Sequence, residues 1–222
     1  MVSKPKPRKT AAKKTAAKKT AARKADIPSR IVAAALDLAA TQGWRDTTLA
    51  DIAAAAGLTL ADVHGAFRSK EAIVAAFVRG IDAQVLAGDD AAFADEPARD
   101  RLFDVVMRRF DALAPHKEAV RAIVRDSLCD PLAALCGACG LRRSMAWMLE
   151  AARIDSTGLC GLVRIKGLAA VYLAALCVWL GDDSEDMART MAALDKRLRQ
   201  AESLVMLCRL PRRRREPEAE TA

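Results

Sequence analysis

Aromatic side chains are scarce in this sequence: Phe, Trp and Tyr make up 4% of its 222 residues, with a single Tyr. Glycine (11) and proline (8) are sparse as well, and only two histidines are present. Short-stranded sandwiches and barrels need β-branched, aromatic and turn residues, so an all-β fold is excluded. His64 and His116 lie far apart, and no Ser/His/Asp or Cys/His set can be assembled from spacing, so the chain is not expected to be an enzyme. Acids are missing from residues 1–25. An apolar run long enough for a membrane is also missing. Gly167–Leu180 falls short of the ~20 residues that a span needs, and Arg164 and Lys166 stop its extension. The cationic N-terminus carries no apolar signal-peptide stretch, which points to a soluble, cytoplasmic chain.

What is abundant is alanine, within a hydrophobic content of 52%. Alanine-rich, aromatic-poor and low in helix breakers is the composition of an all-α protein. The net charge of +8 is carried by the ends. Residues 1–25 hold ten Lys/Arg, and 209–222 hold five Arg with three Glu, which leaves 26–208 with 21 bases against 25 acids. Six cysteines (129, 136, 139, 160, 177, 208) lie in the second half. Without a secretory signal they are expected as reduced thiols, mostly serving as small packing residues in helices. Cys136-Gly-Ala-Cys139, with Cys129 upstream, is a lone C-x-x-C without a second pair. It suggests no metal or other cofactor, and leaves Cys136 and Cys139 as candidates for thiol redox sensing.

The first 25 residues repeat Thr-Ala-Ala-Lys-Lys with a period of five, starting at Thr10 and Thr15 and closing as Thr20-Ala-Ala-Arg-Lys24. That period matches neither helix nor strand and leaves no apolar face, so 1–25 is expected to be a disordered basic tail. Its spaced charge suits a polyanion such as DNA, through salt-sensitive counterion release. From Ser29, the residues Ile31, Ala35, Leu38 and Ala39 follow helical spacing, and Gly43 stops the run. Thr48-Leu-Ala-Asp51 and Thr59-Leu-Ala-Asp62 are both capping boxes, each opening a short helix, with Ala56-Gly57-Leu58 as the turn between them. Ser69 caps a longer helix from Lys70 to about Leu86, with Ile73, Phe77, Val78 and Ile81 turned inward. The acidic stretch 88–96 separates a domain of residues 26–88 from a larger one of 97–209, and 210–222 is expected as a second disordered tail. In the larger domain, Pro97 opens a helix to Ala114, residues 132–152 and 158–180 read as long apolar helices, and a last amphipathic helix starts at Ser184. Arg212–Arg215 would contact DNA or anionic lipid, or simply solvate the terminus.

Residues 48–67 fit a helix-turn-helix, whose second helix enters the DNA major groove. Leu49, Ile52, Leu58, Val63 and Phe67 supply its core, and Ala53, Ala54 and Ala56 are small enough for close crossing. Together with Ile31-Val-Ala-Ala-Ala-Leu, Gly43-Trp44 and Phe67-Arg-Ser-Lys-Glu-Ala-Ile, this stretch resembles the N-terminal domain of the TetR family of transcriptional regulators, over about 27–80. The resemblance implies an all-α, TetR-like fold: a three-helix DNA-binding domain, then a larger helical bundle that takes a small apolar effector. It also implies a homodimer joined through the helices at about 158–180 and 184–209. Carried over by position, Thr48 would contact phosphate, and Thr59, Leu60 and Ala61 would reach base edges. His64 stands where a Tyr is usual, next to Gly65, and Lys70 resembles the phosphate-anchoring Lys. Asp62 replaces a common Thr, and the second helix has no Arg, Asn or Gln for bidentate base reading.

Asp100-Arg-Leu-Phe-Asp-Val-Val-Met-Arg-Arg-Phe110, Arg164-Ile-Lys-Gly-Leu-Ala-Ala-Val-Tyr172 and Trp179-Leu-Gly-Asp-Asp-Ser184 resemble the lipid-binding accessory proteins of ubiquinone biosynthesis, over about 100–203. Those proteins share the TetR fold. That resemblance implies an isoprenoid-quinone ligand and peripheral membrane contact. Met145, Trp147, Met148, Tyr172 and Trp179 are the candidate pocket lining, since Met-rich surfaces adapt to apolar ligands, although ordinary core packing accounts for them equally. The leading expectation is a ligand-responsive, nucleoid-associated TetR-type regulator. Its rivals are a lipid-binding accessory factor with a degenerate helix-turn-helix, and a sequence-blind nucleoid protein dominated by its tail.

Overall fold

The computed structural model describes residues 9–88, 95–127, 129–184 and 186–208, with side chains described only between 26 and 202. Residues 1–8, much of the acidic 88–96 stretch and the 210–222 tail with Arg212–Arg215 lie outside the described residues.

The described chain is all-helical: α1 (Lys9–Gln42), α2 (Leu49–Ala55), α3 (Leu60–Ala66), α4 (Lys70–Leu86), α5 (Ala98–Leu113), α6 (Lys117–Ser127), α7 (Pro131–Ala151), α8 (Gly158–Leu180) and α9 (Ala188–Cys208). It packs as two compact units. One joins the residues up to Gly88 with Arg108–Trp147, and the other joins those between Gly88 and Arg108 with the chain from Met148 onward. Two helices, α5 and α7, therefore contribute to both.

In the first unit, α1 packs on α6, and α2, α3 and α4 pack against α1. Ile31, Ala35 and Ala39 of α1 are buried with Ile52, Val63, Phe67, Ile73, Phe77 and Ile81. Gly43 ends α1 at φ +93°, a backbone region that L side chains rarely adopt. The Lys/Ala repeat is helical from Lys9, where the sequence alone suggests a disordered tail. Ala and Lys are good helix formers, and the packed segment beyond Ile31 supplies the nucleus that an isolated repeat lacks. Ala54, expected at a close helix crossing, is exposed, whereas Ala53 and Ala56 are buried.

A buried ion pair ties this unit together. Arg109 of α5 donates to the Asp82 carboxylate of α4, and the Ser144 hydroxyl of α7 lies 2.7 Å from Asp82 Oδ2. All three residues are buried.

In the second unit α8 packs along α9. Ile165, Leu168, Tyr172, Ala175 and Trp179 are buried with Leu194 and Leu198. The last helix begins at Ala188 rather than Ser184, because the chain first turns around Asp182. The Asp182 carboxylate accepts from the Ser184 hydroxyl at 2.5 Å, the Thr190 amide at 2.8 Å and the Thr190 hydroxyl at 2.7 Å. Met187 lies at φ +51°, which closes that turn.

The cysteines correct the expectation of packing residues: Cys129, Cys136, Cys139, Cys160 and Cys177 are all exposed free thiols. Helices α7 and α8 are apolar around most of their circumference, so periodicity could not say which face each cysteine occupies. The apolar run is longer than the sequence suggested: α8 continues through Arg164 and Lys166, and as a helix of 23 residues it is long and apolar enough to cross a membrane by length and composition. One face of it is buried within its own unit, as in the core helix of a globular bundle.

Candidate nucleic-acid interface

Two reciprocal caps define the motif at residues 48–67. Thr48 Oγ1 accepts from the Asp51 amide at 3.1 Å while the Thr48 amide donates to Asp51 Oδ2 at 2.9 Å. Thr59 and Asp62 repeat the arrangement at 3.2 and 3.0 Å. Each box satisfies orphan amides of a helix only seven residues long. The hydroxyls of both threonines also donate to these carboxylates, each at 2.6 Å. This bonding holds the Asp51 carboxyl below the usual carboxylate range. Sequence reasoning read both capping boxes and also assigned Thr48 to phosphate and Thr59 to base edges; the hydroxyls given those roles are the ones engaged in the caps.

Gly57, at φ +62°, makes the turn between α2 and α3. Arg30 of α1 reaches across to donate to the Ala56 carbonyl at 2.5 Å. The rear of α3 is anchored by Val63, fully buried, and Phe67. Its front is solvent-exposed: Thr59, Leu60, Ala61, His64 and Gly65 all lie outward. The structure thus gathers the predicted base-facing residues onto one helix face.

Lys70 begins α4 and turns back toward the loop before α2. Its ammonium donates to the Trp44 and Thr47 carbonyls, each at 2.6 Å, and lies 4.5 Å from the centre of the Trp44 ring. Partial burial lowers its pKa from the ordinary lysine value. The same loop is gripped from α6, where Asp126 accepts from the Arg45 amide at 2.8 Å. Lys70 is therefore a clamp that fixes the loop as well as a charge near it. The clamp escaped sequence reasoning because its acceptors are backbone carbonyls more than twenty positions away.

The five candidate pocket residues are placed as follows. Met145 is buried in the first unit, Met148, Tyr172 and Trp179 are buried in the second, and Trp147 is 51% exposed. A cleft of about 300 Å³ lies in the first unit, lined by residues of α1, the turn at 114–116 and the start of α6, including Asp37, Ala40, His116 and Glu118. None of the five lines it. His116 packs edge-on against Phe77, with 5.3 Å between ring centres.

Comparison with known proteins agrees with this geometry. Residues 31–77 match the family model described as bacterial regulatory proteins, tetR family, and residues 164–205 match the COQ9 family. A TetR transcriptional regulator from Nitrosomonas europaea ATCC 19718 superposes with a TM-score of 0.65 at 26% identity, covering 79% of this chain and 98% of that one. A TetR transcriptional regulator from Rhodococcus sp. RHA1 superposes with a TM-score of 0.61 at 17% identity, covering 81% and 97%. No curated protein matches the sequence. The fold is TetR-like, with a TetR-type helix-turn-helix domain near the N-terminus and a COQ9-like stretch along α8 and α9.

Proposed function

We propose that this chain is a TetR-type transcriptional regulator that binds double-stranded DNA as a homodimer and responds to an apolar ligand. The observation that carries the reading is α3 itself: its back is anchored by Val63 and Phe67, and its whole front is left to solvent. A short helix held rigidly with one bare face is a probe for a groove. Phosphates would be met by Lys70, by exposed Arg45 and Arg68, and by the basic repeat leading into α1. Two copies would join through α8, where Leu159, Val163 and Leu173 are exposed. Such a pair must present its two α3 helices about 34–36 Å apart to span successive half-sites. Asp126 of α6, holding the Arg45 amide, gives a ligand-induced shift of α6 a direct grip on the loop before α2.

Footprinting on genomic fragments tests the reading. A protected palindrome should survive deletion of residues 1–25, with a shallower dependence of affinity on salt because ten cations are lost. Protection that disappears with the tail would leave only sequence-blind attraction. A second reading, a lipid-binding accessory factor of ubiquinone biosynthesis, is favoured by the COQ9 match over residues 164–205. It predicts isoprenoid lipid in organic extracts of the purified protein and no protected palindrome.

A further inference from the structure

The side chains that α3 presents differ from those of a helix that reads bases by hydrogen bonds. Its outward face consists of Leu60, Ala61, His64 and Gly65. Leu60 is 54% exposed, a large apolar side chain beside a methyl, an imidazole and a bare Cα. Leu, Ala and Gly have no side-chain donors or acceptors, so the hydrogen-bond code of the major groove is closed to three of the four. Asp62, the acid that would accept from a cytosine amino group, already accepts from the Thr59 amide at 3.0 Å and the Thr59 hydroxyl at 2.6 Å. What an apolar side chain can distinguish in that groove is the C5-methyl group of thymine.

We infer that α3 reads thymine through its methyl group, with Leu60 and Ala61 as the specificity-determining residues and His64 as the single hydrogen-bonding reader. This rests on the DNA-binding reading above. Gly65 supports it independently. A Cβ built there meets nothing within 4 Å, so the fold itself does not require glycine at that position. A glycine within a helix is destabilising relative to alanine. Its missing side chain lets the α3 backbone sink toward the groove floor, which brings the short Ala61 side chain within reach of a methyl.

The test begins with the full chain and a randomised library of unmethylated synthetic duplexes, so that thymine is the only source of a C5-methyl. Selection should enrich a half-site containing thymines. Each thymine is then replaced by uracil, which pairs identically and lacks only the methyl. Affinity should fall about fourfold at the positions beneath Leu60 and Ala61, the effect of removing one buried carbon, and stay unchanged elsewhere. Leu60→Ala, at an exposed position, should erase one of those penalties. Gly65→Ala should raise the melting temperature yet weaken binding to the selected site. An enriched site indifferent to uracil throughout, or uracil penalties untouched by Leu60→Ala, overturns methyl reading and leaves DNA binding standing. No enriched sequence at all, with binding lost on deletion of residues 1–25, overturns both.

Discussion

Arg109 and Asp82 form an ion pair inside the first unit, with side-chain exposures of 4% and 12%. Desolvating two charges is costly, so removing one partner does more harm than replacing both. Arg109→Ala should destabilise the chain by about 3–5 kcal/mol, and the double variant Asp82→Leu/Arg109→Met should recover most of that loss. Urea unfolding of the three proteins measures it, and equal losses in single and double variants would remove the pair from the account. Asp182 works through a different balance. Hydrogen bonds from Ser184 and Thr190 hold its carboxyl far below the usual carboxylate range. Because its folded pKa lies below its unfolded value of about 3.9, the stabilisation is present above that value and lost as pH falls through the acid range. Melting temperatures should therefore decline less from pH 5 to pH 3 in Asp182→Asn than in the parent, starting from a lower value.

The helices themselves differ in what sustains them. Short α2 and α3 depend on their boxes, since seven residues are too few for a helix to hold by propensity. Thr59→Ala removes the acceptor for the Asp62 amide and should cost about 1 kcal/mol in thermal or urea unfolding. Both boxes and the Gly57 turn are readable from sequence because each is a local pattern within four residues. The exposed cysteines are not. In α7 and α8 nearly every position is apolar or small, so no stripe marks the inward face, and the neighbouring helices alone decide it. The start of α9 was equally hidden. Ser184 looks like an N-cap, but its hydroxyl donates to Asp182, and the chain takes one more turn before Ala188.

Across the whole molecule, charge is divided by region: ten Lys/Arg and no acid in residues 1–25, against 21 bases and 25 acids in 26–208. In the proposed reading the basic repeat would draw in a polyanion without reading it, and one apolar side of α8 is exposed among the described residues. Leu159 is 83% exposed and Val163 67%. Replacing Val163 and Leu173 together with glutamate should yield a monomer by sedimentation equilibrium, with its helical circular dichroism intact. The parent chain should sediment as a dimer in the same experiment; a variant that still does so would place the proposed contact elsewhere.

The sequence by itself determined the all-α class, both capping boxes and the boundaries of α4 and α8, because these follow from contiguous patterns of propensity and periodicity. Only tertiary structure decided the rest: that Lys70 clamps the Trp44 and Thr47 carbonyls, that Asp82, Arg109 and Ser144 meet in the interior, and that five cysteines face solvent. For the first two the partners stand twenty or more positions apart, and four of the cysteines lie on helices apolar around most of their circumference, with Cys129 in the turn before α7. What a side chain touches is then set by how helices cross, which no local pattern encodes.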